Sequence, residues 1–178
     1  MDKFLDKIFF RSKNLNYISK NIQNISENTT AKKIFEAINN YSENSELRFV
    51  GGCIRKIINQ EEVDDIDLAT NITPDEVCDA LNKNQIKFFE SGKEHGTITA
   101  VINEQNYEIT SLRKDVATDG RHAKVEFTSD WKEDSKRRDF TINAIYSDSL
   151  GNLFDPQNGK LDLNKGVLKF IGDPEKRI

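Results

Sequence analysis

Two carboxylates separated by a single residue, Asp65 and Asp67, are the first group in the sequence that could do chemistry. We predict that they lie on a strand over 63–69, because this run is apolar and bounded by turn residues. Side chains alternate along a strand, so both carboxylates would share one face, about 7 Å apart. Such a pair suits a hard cation such as Mg²⁺, which takes further ligands from substrate phosphates. The alternative is a solvated acidic edge, since other acidic residues precede the pair.

A second candidate is the pair of glycines in the segment FVGGCIR, where a strand over 47–50 ends and a helix begins. Glycines at such a turn let backbone N–H groups approach a triphosphate, and the start of the helix adds partial positive charge. Arg55 could add a charge-assisted contact to the phosphate oxygens. Alone, two glycines are more often an ordinary turn. Asp65 follows 13 residues after Gly52, however, so phosphate site and metal site are predicted on adjacent strands, as nucleotidyl transfer needs.

Six segments in a fixed order extend this pattern: GGCIR, DDIDLAT, EITSLR, DGRHA, RRDFTINA and DPQNGKLDL. Together they resemble the class II tRNA nucleotidyltransferase and bacterial poly(A) polymerase family. The resemblance covers about 47–178, and RRDFTINA is its most specific segment. It implies an α+β fold, namely a DNA-polymerase-β-like nucleotidyltransferase head with a mixed antiparallel sheet and covering helices. It also implies an enzyme that uses Mg²⁺ to transfer nucleotides from nucleoside triphosphates to an RNA 3′ hydroxyl.

The resemblance assigns roles to the residues already described. It implies that Asp65 and Asp67 are the catalytic metal ligands. It implies that Gly52 and Arg55 contact the triphosphate of the bound nucleotide. CMP and AMP are the expected units, with CCA addition to tRNA and polyadenylation both left open.

Within RRDFTINA, the resemblance implies that Arg138 also contacts the nucleotide and that Asp139 and Asn143 read the ribose. We predict a helix over 131–143, which would place Asp139 and Asn143 one turn apart and facing one ligand. The alternatives are a solvated basic helix face for the arginines and a helix cap for Asn143.

Three further features stay open. Glu108 lies where related polymerases place a third carboxylate, yet it could equally pair with Arg113 or a lysine. The charged, aperiodic segment 113–123 predicts a mobile loop, similar to the family's flexible loop. Lys56 stands where the family nearly always has Asp. We expect this charge reversal to weaken the phosphate pocket, so that Lys56→Asp would raise incorporation or thermal stability.

The elements that must position these residues follow from periodicity and turn residues. Helices are predicted over 31–41 and 53–58, and a third starts at the capping sequence TPDE, 73–76. We predict strands over 86–89 and 125–127, and hairpins over 96–112 and 145–154. Residues 1–30 are expected to hold a short helix that includes Phe4 and Leu5, followed by a loosely ordered link.

Composition limits the class of protein. The chain has 178 residues, 36% hydrophobic and 31% charged, and a formal net charge of −4, so nucleic acid could be held only by local basic patches. Two cysteines exclude a disulfide framework, and two isolated histidines give no zinc-ligand spacing. The N-terminus lacks the features of a signal peptide, so a cytoplasmic protein without a membrane segment is expected.

The resemblance also predicts the domain organisation. Residues 1–30 would be an N-terminal extension, 31–155 the nucleotidyltransferase head, and 156–178 the truncated start of a neck. In the family, the neck selects CTP or ATP and later domains grip tRNA. The expected partners are therefore CTP, ATP, an RNA such as the tRNA 3′ end, and a separate chain carrying neck and tail. The alternative function is a split or truncated nucleotide- or RNA-binding remnant, inactive without that chain.

Overall fold

The computed structural model describes residues 16–116 and 124–173, apart from the side chains of Ser91, Asp115, Val116 and Lys124. The helices of this part are α1 (16–28), α2 (Ala31–Asn39), α3 (Gly52–Asn59), α4 (Pro74–Lys83), α5 (Trp131–Lys136) and α6 (Gly159–Asn164). The strands are β1 (Leu47–Val50), β2 (Asp67–Thr70), β3 (Lys87–Gly92), β4 (Thr97–Ile102), β5 (Gln105–Ser111), β6 (Arg113–Val116), β7 (Lys124–Phe127), β8 (Tyr146–Ser147) and β9 (Leu153–Phe154). Within the described helices, none is long and apolar enough to cross a bilayer.

The main sheet has the order β3-β4-β5-β2-β1-β8-β9, and β6 and β7 form a separate ribbon. Its pairs are antiparallel except β2 with β5, which run parallel. That exception follows from connectivity, because α4, β3 and β4 intervene and carry the chain back to its starting edge. The predicted mixture of sheet and covering helices is confirmed, and the parallel pair places Glu108 opposite Asp67.

The two faces of the sheet differ in how they are covered. Helices α1 to α4 pack on one face and bury Phe49, Leu68 and Ile109 in the larger core. On the other face, a smaller cluster around Trp131 and Tyr146 covers the β1–β8 end. Alternate residues of β4 point to this second face and are only partly buried. Asp67 begins on the second face as well, because its neighbour Leu68 faces the larger core.

Local sequence signals gave the correct structure where only near neighbours are involved. At the start of α4, Thr73 Oγ1 accepts from the Glu76 N–H at 3.4 Å, and the Glu76 carboxylate accepts from the Thr73 N–H at 2.8 Å. The β4–β5 hairpin turns at Asn103 and Glu104, with φ of 49° and 65°. Positive φ at both positions matches the right-handed twist of the strands. The predicted capping box and hairpin are therefore confirmed.

The strand predicted over 63–69 is shorter than expected, since β2 begins only at Asp67. Its partner β1 pairs Phe49 with Leu68 and ends at Val50, where the chain turns into α3. No residue of β1 remains to pair with the residues before Asp67. Asp65 therefore precedes the strand, and the prediction that both carboxylates lie on it was wrong.

The helix predicted over 131–143 was also wrong, because α5 ends at Lys136. The chain next forms a bridge in which Thr141 N–H donates to the Lys169 carbonyl at 3.0 Å and Ile171 N–H to the Asp139 carbonyl at 2.9 Å. This use of the backbone is incompatible with an uninterrupted helix. A short 3-10 turn, Thr141–Asn143, follows the bridge.

Two other predictions of irregular structure need correction. Residues 16–28 are helical rather than a loose link, because Ile18 and Ile22 lie one turn apart and are fully buried. The short helix expected around Phe4 lies outside the described residues. Residues 113–116 form β6, paired antiparallel with β7, so this part of the predicted loop is a strand. The rest of that predicted loop, 117–123, also lies outside the described part.

The N-terminus of α6 fixes the position of the 3-10 turn. Asp155 accepts from the Gly159 and Lys160 N–H groups at 2.7 and 2.9 Å, and Thr141 Oγ1 donates to Asp162 Oδ2 at 2.8 Å. A Cβ on Gly159 would lie 2.0 Å from the Thr141 carbonyl oxygen. Only glycine permits this approach, so the DPQNG segment holds the turn that carries Asn143.

We expect Gly159→Ala to lower the free energy of unfolding by about 3 kcal/mol, because the new methyl group must displace the Thr141 backbone. Urea denaturation measures the change. Gly52→Ala is the matched control, since its Cβ would meet nothing closer than Arg55 Nη2 at 3.9 Å. Similar losses in both variants would contradict the packing argument.

Candidate nucleotide and metal site

The acidic part of the site lies at the start of β2. Asp67 faces Glu108 across the parallel β2–β5 pair, and the exposed Asp65 precedes Asp67. Burial, followed by the charges of Asp65 and Glu108, raises the pKa of Asp67, against the lowering effect of Arg138. Asp67 is thus repelled by one carboxylate on each side. Glu108 is exposed and lies in register with Asp67, as a third carboxylate of the site would.

The carboxylate ligands at this site are of the type that Mg²⁺ prefers, but they do not form a closed metal centre by themselves. Carboxylate oxygens are the ligands that Mg²⁺ prefers, and the charge repulsion at Asp67 would be relieved by a cation. In the described part of the chain, no three acidic, histidine or cysteine side chains already surround one point as a closed site. Mg²⁺ keeps several waters and commonly uses only one or two protein carboxylates with substrate phosphates. Asp65 and Asp67 therefore fit an open metal site that a nucleotide completes.

A cleft of about 340 Å³ connects these carboxylates to the start of α3. It is lined by Gly52, Cys53, Arg55, Lys56, Asp64, Asp65 and Asp67. The predicted phosphate and metal residues therefore share one cavity, and β1 and β2 are adjacent antiparallel strands, as predicted. Burial raises the pKa of the Cys53 thiol to about 12, so Cys53 is an uncharged wall of the cleft rather than a nucleophile.

Of the two adjacent glycines, Gly51 is the one whose backbone conformation requires glycine. Its φ of +73° is in the region that favours glycine, and a Cβ there would lie 3.6 Å from Asp67 Oδ2 and 3.9 Å from the Asn143 carbonyl oxygen. Gly52 begins α3 and has open space beside it. The sequence prediction named Gly52 and missed Gly51, because the motif does not reveal which glycine has positive φ. The turn brings the free N–H groups of α3 next to the carboxylates.

Three of the predicted nucleotide-binding residues are joined by hydrogen bonds. Arg55 Nη1 donates to Asn143 Oδ1, and Asn143 Nδ2 donates to Asp139 Oδ1 and Oδ2 at 3.1 and 3.3 Å. The chain of contacts links α3 to the 3-10 turn. The predicted proximity of Asp139 and Asn143 is present, although the turn and the bridge produce it in place of one α-helix.

Arg138 is held by a buried carboxylate that sequence reasoning missed. Asp134 is fully buried and accepts from Tyr146 Oη at 2.7 Å, Arg137 Nε at 2.7 Å and Arg138 Nε at 3.3 Å. It also accepts from the Arg113 N–H at 3.1 Å. Asp134 precedes Arg137 and Arg138 by three and four residues, a spacing that predicts ion pairs on a helix. This spacing does not reveal that the carboxylate is buried.

The electrostatics of this cluster favour the ionised form of Asp134. Burial alone would raise the pKa of Asp134, but the charges of Arg138 and Arg137 and the hydrogen bond from Tyr146 bring that pKa below its ordinary value. Arg138 also donates to Tyr146 Oη at 3.0 Å. The Arg138 guanidinium is thereby fixed within about 4 Å of the space beside Gly51, where Nη1 lies 4.0 Å from a Cβ built there.

Lys56 has a partner that the sequence prediction did not foresee. Its Nζ donates to Asp64 Oδ1, and this contact lowers the pKa of Asp64. The Lys56 side chain is partly buried in the wall of the cleft, whereas Asp64 is exposed. Lys56 therefore neutralises part of the negative charge of the acidic segment that contains Asp64. This finding reverses the expected effect of Lys56→Asp, which would place two carboxylates together.

Comparison with known proteins places the whole arrangement in context. The family described as the poly(A) polymerase head domain matches residues 47–169. The human mitochondrial CCA tRNA nucleotidyltransferase 1 is 47% identical over 137 residues, which are 76% of this chain and 32% of the relative. A CCA-adding enzyme of Staphylococcus haemolyticus is 39% identical over 150 residues, covering 83% of this chain and 36% of that enzyme. The chain thus spans about a third of the length of these curated relatives.

A solved structure shows the same fold. The crystal structure of a Bacillus stearothermophilus CCA-adding enzyme in complex with CTP matches with a TM-score of 0.72 and 31% identity. The match covers 83% of this chain and 34% of that one. The expected fold, the DNA-polymerase-β-like nucleotidyltransferase head, is confirmed.

Asp134→Asn should destabilise the fold by about 3–5 kcal/mol, because two partly buried arginines would lose their buried counter-charge. Urea denaturation at neutral pH tests this, with Glu133→Gln on the same helix as the control, since Glu133 is 41% exposed and pairs with Lys136. The lowered pKa of Asp134 means that its stabilisation is present at neutral pH and lost in strong acid. A wild-type advantage that does not shrink as the pH falls below about 4, the ordinary pKa of Asp, would contradict this assignment.

Lys56→Asp should lower the melting temperature slightly, and adding Asp64→Lys should restore it by re-forming the pair with reversed charges. Thermal denaturation at low salt measures both variants. A higher melting temperature in the single variant would instead support the sequence-based expectation.

Proposed function

The chain belongs to the family of poly(A) polymerase head domains, and we propose that it is a nucleotidyltransferase head that adds CMP and AMP to a tRNA 3′ end. One observation carries this proposal. The carboxylates at the start of β2 and the glycine turn at the start of α3 line a single cleft. A metal-binding pair beside a phosphate-binding turn is the minimum that transfer from a triphosphate requires.

The names of the relatives support tRNA as the acceptor and CTP as one donor. One curated relative is a CCA tRNA nucleotidyltransferase, another is a CCA-adding enzyme, and the solved relative is a CCA-adding enzyme in complex with CTP. Addition of C and A to tRNA is therefore a better-supported proposal than polyadenylation.

In the proposed reaction, an RNA 3′ hydroxyl attacks the α-phosphate and pyrophosphate leaves. Asp65 and Asp67 would hold Mg²⁺, which supplies charge neutralisation and polarisation of the phosphate when it is bound. Glu108 lies beside Asp67, where it could accept the proton of the attacking hydroxyl. Burial and the charges of Asp65 and Glu108 raise the pKa of Asp67, and a bound cation would offset both effects.

The nucleotide would be held by two sets of residues. The N–H groups at Gly52 and the Arg55 side chain would bind the triphosphate, with Gly51 allowing the close approach. Arg138, fixed by its buried partner, would contribute charge without needing to reorganise.

Recognition of the ribose would use hydrogen bonds that already exist. Asn143 now bonds Arg55 and Asp139, and ribose hydroxyls could replace either partner with little loss. Arg55 released in this way would turn to the phosphates. Sugar binding and phosphate binding are thereby coupled through Asn143.

The proposal predicts Mg²⁺-dependent incorporation of labelled CMP and AMP into tRNA that lacks its 3′ end. Asp67→Asn should reduce the rate by roughly a hundredfold or more, since even outer partners of metal ligands cost 10–100-fold. The same change should raise the melting temperature at neutral pH, because the raised pKa of Asp67 shows that its ionised form is disfavoured in the fold.

This gain in stability should vanish as the pH falls below about 4, where the carboxyl is protonated in both states. Asp79→Asn, on the exposed side of α4, is the matched control for rate and melting temperature. Wild-type incorporation by Asp67→Asn would overturn the metal assignment.

The described site should discriminate poorly among bases. Its assigned contacts address phosphate and ribose, which CTP, ATP, GTP and UTP share. Titration calorimetry of the four nucleotides with Mg²⁺ should give dissociation constants within about threefold of one another, a difference below 1 kcal/mol. A tenfold preference for CTP and ATP would show that base selection is built into this chain.

A further inference from the structure

A row of paired residues crosses the open face of the sheet and starts at the candidate site. Asp67 of β2 is opposite Glu108 of β5, Glu108 is opposite Thr99 of β4, and Thr99 is opposite Phe89 of β3. Paired residues share a face, and the alternating burial of β4 and β5 confirms that this is the face turned away from α1 to α4. The carboxylates and Phe89 are therefore the two ends of one row.

The far end of this row carries an exposed aromatic residue with a cation above it. Phe89 is 51% exposed, and Lys87 Nζ lies 5.2 Å from the centre of its ring. The neighbouring Phe88 turns to the other face and packs against the larger core. The ring of Phe89 is therefore about half exposed to water on the open face.

Beyond Glu108, the surface toward Phe89 is lined by short, uncharged side chains. Thr97, Thr99 and Val101 of β4 and Thr110 of β5 are short, branched and only partly buried on this face. Adjacent strands are about 4.8 Å apart, so three intervals separate Phe89 from Asp67 by about 14 Å. A stacked nucleic acid strand rises about 3.4 Å per nucleotide, which places Phe89 within about four nucleotides of the reacting end.

We propose that Phe89 and Lys87 form a stacking platform for the single-stranded 3′ end of the RNA, a few nucleotides behind the attacking hydroxyl. This inference rests on the proposed function and specifies how that site receives its acceptor. Base stacking on an exposed aromatic ring is independent of sequence and contributes strongly to single-strand binding. Lys87 supplies the phosphate contact beside the ring.

The charges along the row favour contact with RNA through its bases rather than through its phosphates. The chain is acidic overall, and the row itself contains Asp67 and Glu108, which would repel a continuous phosphate track. Contacts through the uncharged face of a base avoid that repulsion, and the cation lies at the end remote from the carboxylates. The platform therefore positions the primer strand, whereas the carboxylates act on its end.

Fluorescence anisotropy of a labelled single-stranded oligoribonucleotide of about six nucleotides tests the platform directly. Phe89→Ala should weaken binding roughly tenfold, and Phe89→Tyr should retain it. Lys87→Gln should reduce the slope of log affinity against log salt by about one. Tyr17→Ala is the control, since Tyr17 is an exposed aromatic on α1, on the opposite side of the sheet.

Primer length separates the platform from the reacting end. A dinucleotide is too short to reach Phe89, so its binding and its use as a primer should be unchanged by Phe89→Ala. Equal weakening for dinucleotide and longer primer would overturn the position assigned to the platform. Unchanged binding of the longer oligonucleotide by Phe89→Ala, or its failure to bind the wild type, would overturn the platform itself.

Incorporation by the wild type, measured in parallel, tests the proposed function separately. If the wild type incorporates nucleotides and Phe89→Ala binds RNA as tightly as the wild type, the proposed function is supported and the platform is rejected. Absence of incorporation together with weakened RNA binding by Phe89→Ala would reject the function and support the platform. Mg²⁺–CTP affinity and melting temperature should be unchanged in Phe89→Ala, since Phe89 touches neither core nor cleft.

Discussion

The buried carboxylate of Asp134 is the constraint on which much of the site depends. Two arginines and a tyrosine hydroxyl compensate its burial, and each of these groups is fixed in return. Beside these arginines α5 ends at Lys136, and the chain enters its bridge with residues 169–171. That bridge leads into the turn carrying Asn143, which meets Arg55 from α3. Charge compensation in the interior thus sets the geometry at the surface.

How much the sequence predicts depends on the range of the interactions involved. The capping box at Thr73 and the hairpin turn at Asn103 and Glu104 use neighbours only a few residues apart, and both were predictable. The limit of β2 depends on where β1 ends, and the end of α5 depends on a bridge to residues 30 positions later. Periodicity carries no information about such distant partners.

The same distinction applies to the site residues. Spacing and resemblance brought forward Asp65, Asp67, Arg55 and Asn143, and the structure gathers them around one cleft and its rim. Asp134 and Gly51 were missed, because burial and positive φ belong to the folded chain rather than to residue type. The partner of Lys56 was missed for a related reason, since Asp64 approaches Lys56 only when α3 and the acidic segment pack together.

The parallel pairing of β2 with β5 has a consequence for how the protein folds. Residues 67 and 108 are 41 positions apart, so this pairing closes a long loop and carries a large entropic cost before contacts reward it. The local helices and the β4–β5 hairpin can form earlier, with the like charges still far apart. Repulsion between Asp67 and Glu108 then opposes the late step in which β2 pairs with β5. A cation that binds only the paired strands would draw the folding equilibrium toward the completed sheet by mass action.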